Sequence, residues 1–120
     1  MNFYLIIYNY ENTKRTRKKH VGDYKKDYIN LKDDIITEIW MILREQPNET
    51  MDLSELKDCP TIITNYIDYQ ESETIHELFV KGNKVMATAG IYNDDTEYDL
   101  EEFEVPMLIA IFQAVELHLE

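Results

Sequence analysis

The segment that most constrains this chain is its last. Beyond Pro106 the residues Met107–Leu119 are almost wholly apolar, while the stretch before it carries Asp94, Asp95, Glu97, Asp99, Glu101, Glu102 and Glu104 with no Lys or Arg among them. One part must be buried, and the other must be solvated or meet something positive. Proline suits the first turn of a helix, where its missing N–H costs nothing. A helix entered at Pro106 has Leu108, Ile111, Phe112, Val115 and Leu119 as its main stripe, with Ala110 and Ala114 close by. Only Gln113, Glu116, His118 and Glu120 are plainly polar, so more than half of its circumference needs a cover.

Strands supply that cover. Thr61–Tyr69, Thr74–Lys81 and Lys84–Tyr92 are rich in β-branched and aromatic residues, and Gly82-Asn83 places Gly where a type II′ hairpin needs it. That turn sets Val80 opposite Val85, Leu78 opposite Ala87 and His76 opposite Ala89. One face is then apolar and partly small, suited to a helix at close range. The other carries Phe79, Met86, Glu77, Thr88 and Ile75, a mixed surface open to solvent. Asn2–Tyr10 alternates Phe3, Leu5 and Ile7 with Tyr4, Ile6, Tyr8 and Tyr10, which reads as a further strand without a polar face.

Two more helices are predicted. Leu31–Glu45 has an apolar stripe of Leu31, Ile35, Ile36, Ile39, Trp40 and Leu43, with Asn30 as N-cap and Pro47 as the stop. Asp52–Asp58 has a complete start signal, with Asp52 as N-cap, Glu55 as its capping-box partner and Met51 and Leu56 as the staple. Between the first strand and the first helix, Lys14, Arg15, Arg17, Lys18, Lys19 and His20 crowd together, which predicts a mobile basic loop over 11–28. The expected fold is α+β: one domain, 1–120, with a single mostly antiparallel sheet of about four strands and two main helices packed on one face.

Charge bears on function. The chain is at −12, and unevenly so: residues 1–32 hold eight of the twelve basic groups against three acids, and residues 33–120 hold four against twenty-one. The basic segment either pairs with the protein's own acidic surface or meets a ligand. A net negative charge repels nucleic acid at long range, and no Gly-rich phosphate loop or zinc-finger spacing is present. The single cysteine, Cys59, excludes an intramolecular disulfide and fits a reducing compartment. The apolar start lacks the basic lead and cleavage site of a signal peptide, and no run reaches the roughly 20 residues of a membrane span, so a cytoplasmic setting is expected.

No catalytic constellation stands out. His20, His76 and His118 form no HxxxH or HxH pair and have no cysteine at ligand spacing. The alternation Asn93, Asp95, Glu97, Asp99 lacks the central Gly of a calcium loop, Tyr98 standing in its place. The expectation is no enzyme, no metal and no cofactor. What remains is the mixture of carboxylates and tyrosine in Tyr92, Asp94, Asp95, Glu97, Tyr98, Asp99, Glu101, Glu102 and Glu104, suited to capturing a basic cleft on another protein. Small size, strong negative charge and an α+β plan resemble the profile of bacterial antidote (immunity) proteins that neutralise toxins. Phage proteins that block host defence nucleases look similar. The likeness is compositional, and it implies an inhibitor that occludes a basic target, either of the immunity type or as a nucleic-acid mimic. A non-catalytic homodimer, built on the first strand or the terminal helix, is the remaining alternative.

Overall fold

Leu31, Ile35, Ile39 and Leu43 recur every fourth residue, and a helix turns them all to one side. The computed structural model describes residues 21–91 and 94–120, and its first helix, α1 (Val21–Arg44), buries all four. Ile36, Trp40 and Ile42 pack at the margins of that stripe. The helix begins well before Asn30, which is therefore interior and not a cap, and the expected loop is helical from Val21 onward. Nothing between Val21 and Arg44 is a proline, and a helix anchored by a buried stripe extends at little cost per added residue. The rest of that loop, and the expected strand Asn2–Tyr10, lie outside the described residues.

Five strands follow: β1 (Thr50–Asp52), β2 (Thr61–Asn65), β3 (Gln70–Lys81), β4 (Lys84–Ile91) and β5 (Asp94–Asp99), before the terminal helix α2 (Val105–Leu119). All pairings are antiparallel, in the order β1-β3-β4-β5, with β2 pairing β3 on the same edge as β1. The expected α+β plan holds, with five strands in the sheet among the described residues where about four were predicted. Both helices lie on one face, and their buried side chains merge with Ile75, Leu78, Val85, Ala87 and Ala89 into a single core.

The short helix expected at Asp52–Asp58 does not form. The chain pairs Thr50–Asp52 with β3 instead, and the strand period buries Met51 and Leu53 together. The Asp52 carboxylate still accepts a backbone N–H, that of Ser54 at 2.8 Å, in an Asx turn. The same acceptor that would cap a helix closes a turn, because sheet pairing wins.

Gly82 sits at φ +66 with nothing near the position a Cβ would take, and no positive φ follows at Asn83, as the predicted II′ turn requires. Val80 faces Val85 and Leu78 faces Ala87 in the expected register. One residue further along, the register changes: Ala89 faces Ile75, not His76, because β3 bulges between Ile75 and Glu77. The cause lies on the strand's other edge. There β3 changes partner, Leu53 N donating to the His76 carbonyl at 2.8 Å and Ile75 N to the Pro60 carbonyl at 2.9 Å, while the chain from Leu53 to Pro60 loops away. The bulge carries Ile75 into the core, fully buried, rather than onto the mixed face predicted for it.

In α2, Val105, Leu108, Ile111, Phe112, Ala114 and Val115 are buried. Leu119, expected in that stripe, is 49% exposed, as is Leu117 at 50%, so the last turn overhangs the core.

Candidate functional site

An acidic run makes a poor strand by propensity, yet Asp94–Asp99 is one because its alternate residues, Thr96 and Tyr98, suit the pleat and sit opposite Ala89 and Ala87 of β4. The odd-numbered residues Asp95, Glu97 and Asp99 then project to the face that the helices leave open, opposite Gly90, Thr88 and Met86. Pairing continues across the sheet: Glu97, Thr88, Glu77 and Asp52 form one row, and Asp99, Met86, Phe79 and Thr50 the next. Half-buried Phe79, Met86 and Thr88 thus make an apolar centre, with carboxylates on either side of it. Lys81 and Lys84 stand at the hairpin end, where a shallow groove of about 460 Å³ is lined by both lysines, Met86, Glu97, Asp99 and Glu102.

Some of these charges are already engaged. Lys84 Nζ lies 3.4 Å from Asp99 Oδ2, and His76 Nε2 lies 3.1 Å from Asp95 Oδ1. Glu97 and Glu77 have no cationic partner among the described residues. Asp52 keeps its carboxyl below the usual range, chiefly through hydrogen bonds from Ser54. The face is strongly negative, with a hydrophobic middle.

The expected site residues separate into groups. Asp95 and Glu97 lie exposed on the open face. Asp99 shares that face but also accepts from Glu101 N at 3.0 Å, while Glu102 Oε2 accepts from Asp99 N at 2.8 Å. This reciprocal cap closes the 3₁₀ turn Leu100–Glu102 that joins β5 to α2. Glu101 is exposed on the turn, and its carbonyl accepts from Lys32 Nζ at 3.0 Å. Glu104 immediately precedes α2, Asp94 opens β5, and Tyr92 lies outside the described residues. No protein-family model, no curated protein and no solved structure matches this chain. Function has to be read from the geometry.

Tyr98 points the other way, toward the helix side. Its ring tilts against Phe103 with centroids 5.7 Å apart, and its hydroxyl donates to Glu73 Oε2 at 2.6 Å. That hydrogen bond to a carboxylate, helped by burial, pushes the phenol from its ordinary 10.0 up to about 12. Tyr98 therefore ties β5 to β3 rather than offering its hydroxyl to a partner. A raised pKa contributes stability that is fully present below pH 10 and lost as pH climbs toward 12. Tyrosinate absorbance should show a component titrating near 12 that disappears in Tyr98→Phe and moves to lower pH in Glu73→Gln. An unchanged titration in Glu73→Gln would assign the shift elsewhere.

Sequence reasoning misses Asp52 as a member of the face, since β1 is disguised as a helix start. Glu77, Phe79, Met86 and Thr88 follow directly from the Gly82-Asn83 register. Among the described residues no group of three or more His, Cys, Asp or Glu could hold a metal ion, and no helix is long and apolar enough to cross a membrane. Cys59 Sγ donates to the Leu53 carbonyl at 3.1 Å and the Leu56 carbonyl at 3.4 Å, and burial, with Asp52 and Asp58 nearby, pushes its thiol up. It is held in the unreactive protonated form.

Proposed function

We propose that this protein is a binding inhibitor of the immunity type, covering the basic cleft of a target protein with the open face of its sheet. The reading assigns the long-range attraction to Asp95, Glu97, Asp99, Glu77 and Asp52, and the close contact to Phe79, Met86 and Thr88. One observation carries it: a strand whose outward residues are all carboxylates flanks an apolar patch on the face opposite the helices. Charge brings such a surface to a cationic cleft and orients it, and the desolvated centre supplies residence time. The setting is cytoplasmic in this reading, and no catalysis is involved.

A second reading shares the same surface. Alternate residues along a strand repeat at roughly 6.8 Å, so Asp95, Glu97 and Asp99 form an evenly spaced line of negative charge. That spacing supports a nucleic-acid mimic acting on a nuclease, as in anti-defence inhibitors. Both readings make one demand of salt, since the Debye length falls from about 10 Å at 0.1 M to about 3 Å at 1 M. Chain immobilised as bait should capture a basic protein from lysate at low ionic strength and release it as salt rises. Retention that ignores salt, or an identical capture by bait lacking the β5 carboxylates, refutes both.

A further inference from the structure

We propose that the outer edge of β2 is a two-fold self-association surface, on which a second copy of this chain adds its own β2 antiparallel. This surface is distinct from the open acidic face and does not depend on the reading above.

Among the described residues the edge is unpaired and unguarded: β2 pairs with β3 alone, and its outer side meets no strand. Natural edges are protected by lysines, prolines, bulges or charged side chains. The opposite edge, β5, has such protection in its carboxylates. Thr61–Asn65 has none, and the whole run from Cys59 to Ile67 contains no ionisable Asp, Glu, Lys, Arg or His. On a molecule at −12 this is a stretch whose own side chains set no like charges against a second copy.

Hydrogen-bond phase fixes the register. Ile75 N donates to the Pro60 carbonyl and Tyr66 N to the Tyr69 carbonyl, so the even-numbered residues of β2 direct their backbone groups toward β3. Thr61, Ile63 and Asn65 therefore aim their N–H and C=O groups outward. A two-fold axis through Ile63 pairs Ile63 with its own copy and Thr61 with Asn65 of the other chain, so that all three residues exchange bonds. The side chains suit this. Ile63 is 55% exposed, and beyond it Tyr66 and Tyr69 stack at 4.6 Å and Ile67 is fully exposed. At the ends of the paired stretch Asp68 of one copy approaches Asp58 of the other, so added salt strengthens this contact. That sign is the reverse of the one required by capture of a basic target.

Analytical ultracentrifugation of the full chain tests it. Dimer should accumulate with protein concentration and more readily at high salt, and Ile63→Lys, which sets two ammonium groups at the axis, should abolish it. Ile63 is exposed, so the variant should keep the far-UV spectrum and melting behaviour of the parent. In a Cys59→Ser background, Ile63→Cys should oxidise to a covalent dimer, since hydrogen-bonded antiparallel pairs lie about 5.5 Å apart at Cα, within disulfide reach. Ser72→Cys, one strand further in, should form no covalent dimer because its copy would be about 14 Å away. A parent chain that stays monomeric at every concentration in high salt overturns the proposal, as does undiminished dimer in Ile63→Lys.

Discussion

Replacing Ile111 with alanine should cost about 2–5 kcal/mol of unfolding free energy, the range for deleting a fully buried aliphatic side chain. Ile111 is completely inaccessible, in a core shared by α1, α2 and the inner face of the sheet. A cavity there is bounded by two helices and a sheet, which cannot collapse on it together. Since small domains are stable by only about 5–15 kcal/mol, the variant should melt far below the parent. The control is Leu119→Ala on the same helix. Sequence periodicity puts both residues in one stripe, but Leu119 is half exposed, so its loss should stay under about 1 kcal/mol. Denaturant titrations should move the midpoint for Ile111→Ala with an unchanged slope. Equal losses at the two positions would contradict the burial described for α2.

Neutralising the outward residues of β5, with Asp95→Asn, Glu97→Gln and Asp99→Asn together, should slow association with a captured basic target by roughly ten- to a thousandfold at low salt. It should also flatten the dependence of that rate on ionic strength. The fold should tolerate the change, because exposed ion pairs such as Lys84–Asp99 are worth about 0–1 kcal/mol and asparagine can still cap the following turn. The variant alters net charge from −12 to −9, so a charge-matched control is needed. Neutralising exposed Asp33 of α1 together with Glu45 and Glu120, each one residue past a helix end, supplies the same total charge change away from the open face. If both triple variants slow association equally, the open face has no special role and only the overall charge matters.

The legible parts of the fold are those decided by neighbours in sequence. The Gly82-Asn83 turn fixes the β3–β4 register, and with it the apolar centre of the open face. The stripe Leu31–Leu43 announces its helix, although its true start at Val21 depends on propagation from that stripe and not on the cap signal at Asn30. The pattern Asp-x-x-Glu shows the limit most clearly. It occurs at Asp52–Glu55, inside a convincing helix signature, and again at Asp99–Glu102. Only the second forms a reciprocal cap, because the first is drawn into pairing with a strand some twenty-five residues away in sequence. The same long-range change of partner produces the bulge at His76, which no local turn rule contains. Within the candidate site, the alternation of Asp95, Glu97 and Asp99 about Tyr98 is visible in the sequence. That it belongs to a strand depends on β4 lying alongside.

The arrangement along the edge of β3 has one more implication. β1 and β2 occupy separate berths on a single long strand, and neither relies on the other for its position. The chain between them can therefore gain residues at its exposed positions Ser54, Glu55, Lys57 and Asp58 without disturbing the alignment of either, since closing a longer excursion adds little entropy. Among descendants of this sequence, that is where variation in length should be cheapest. It also borders Asp52, so a lineage could grow a new recognition loop there, at the rim of the acidic face, while the sheet beneath stays as it is.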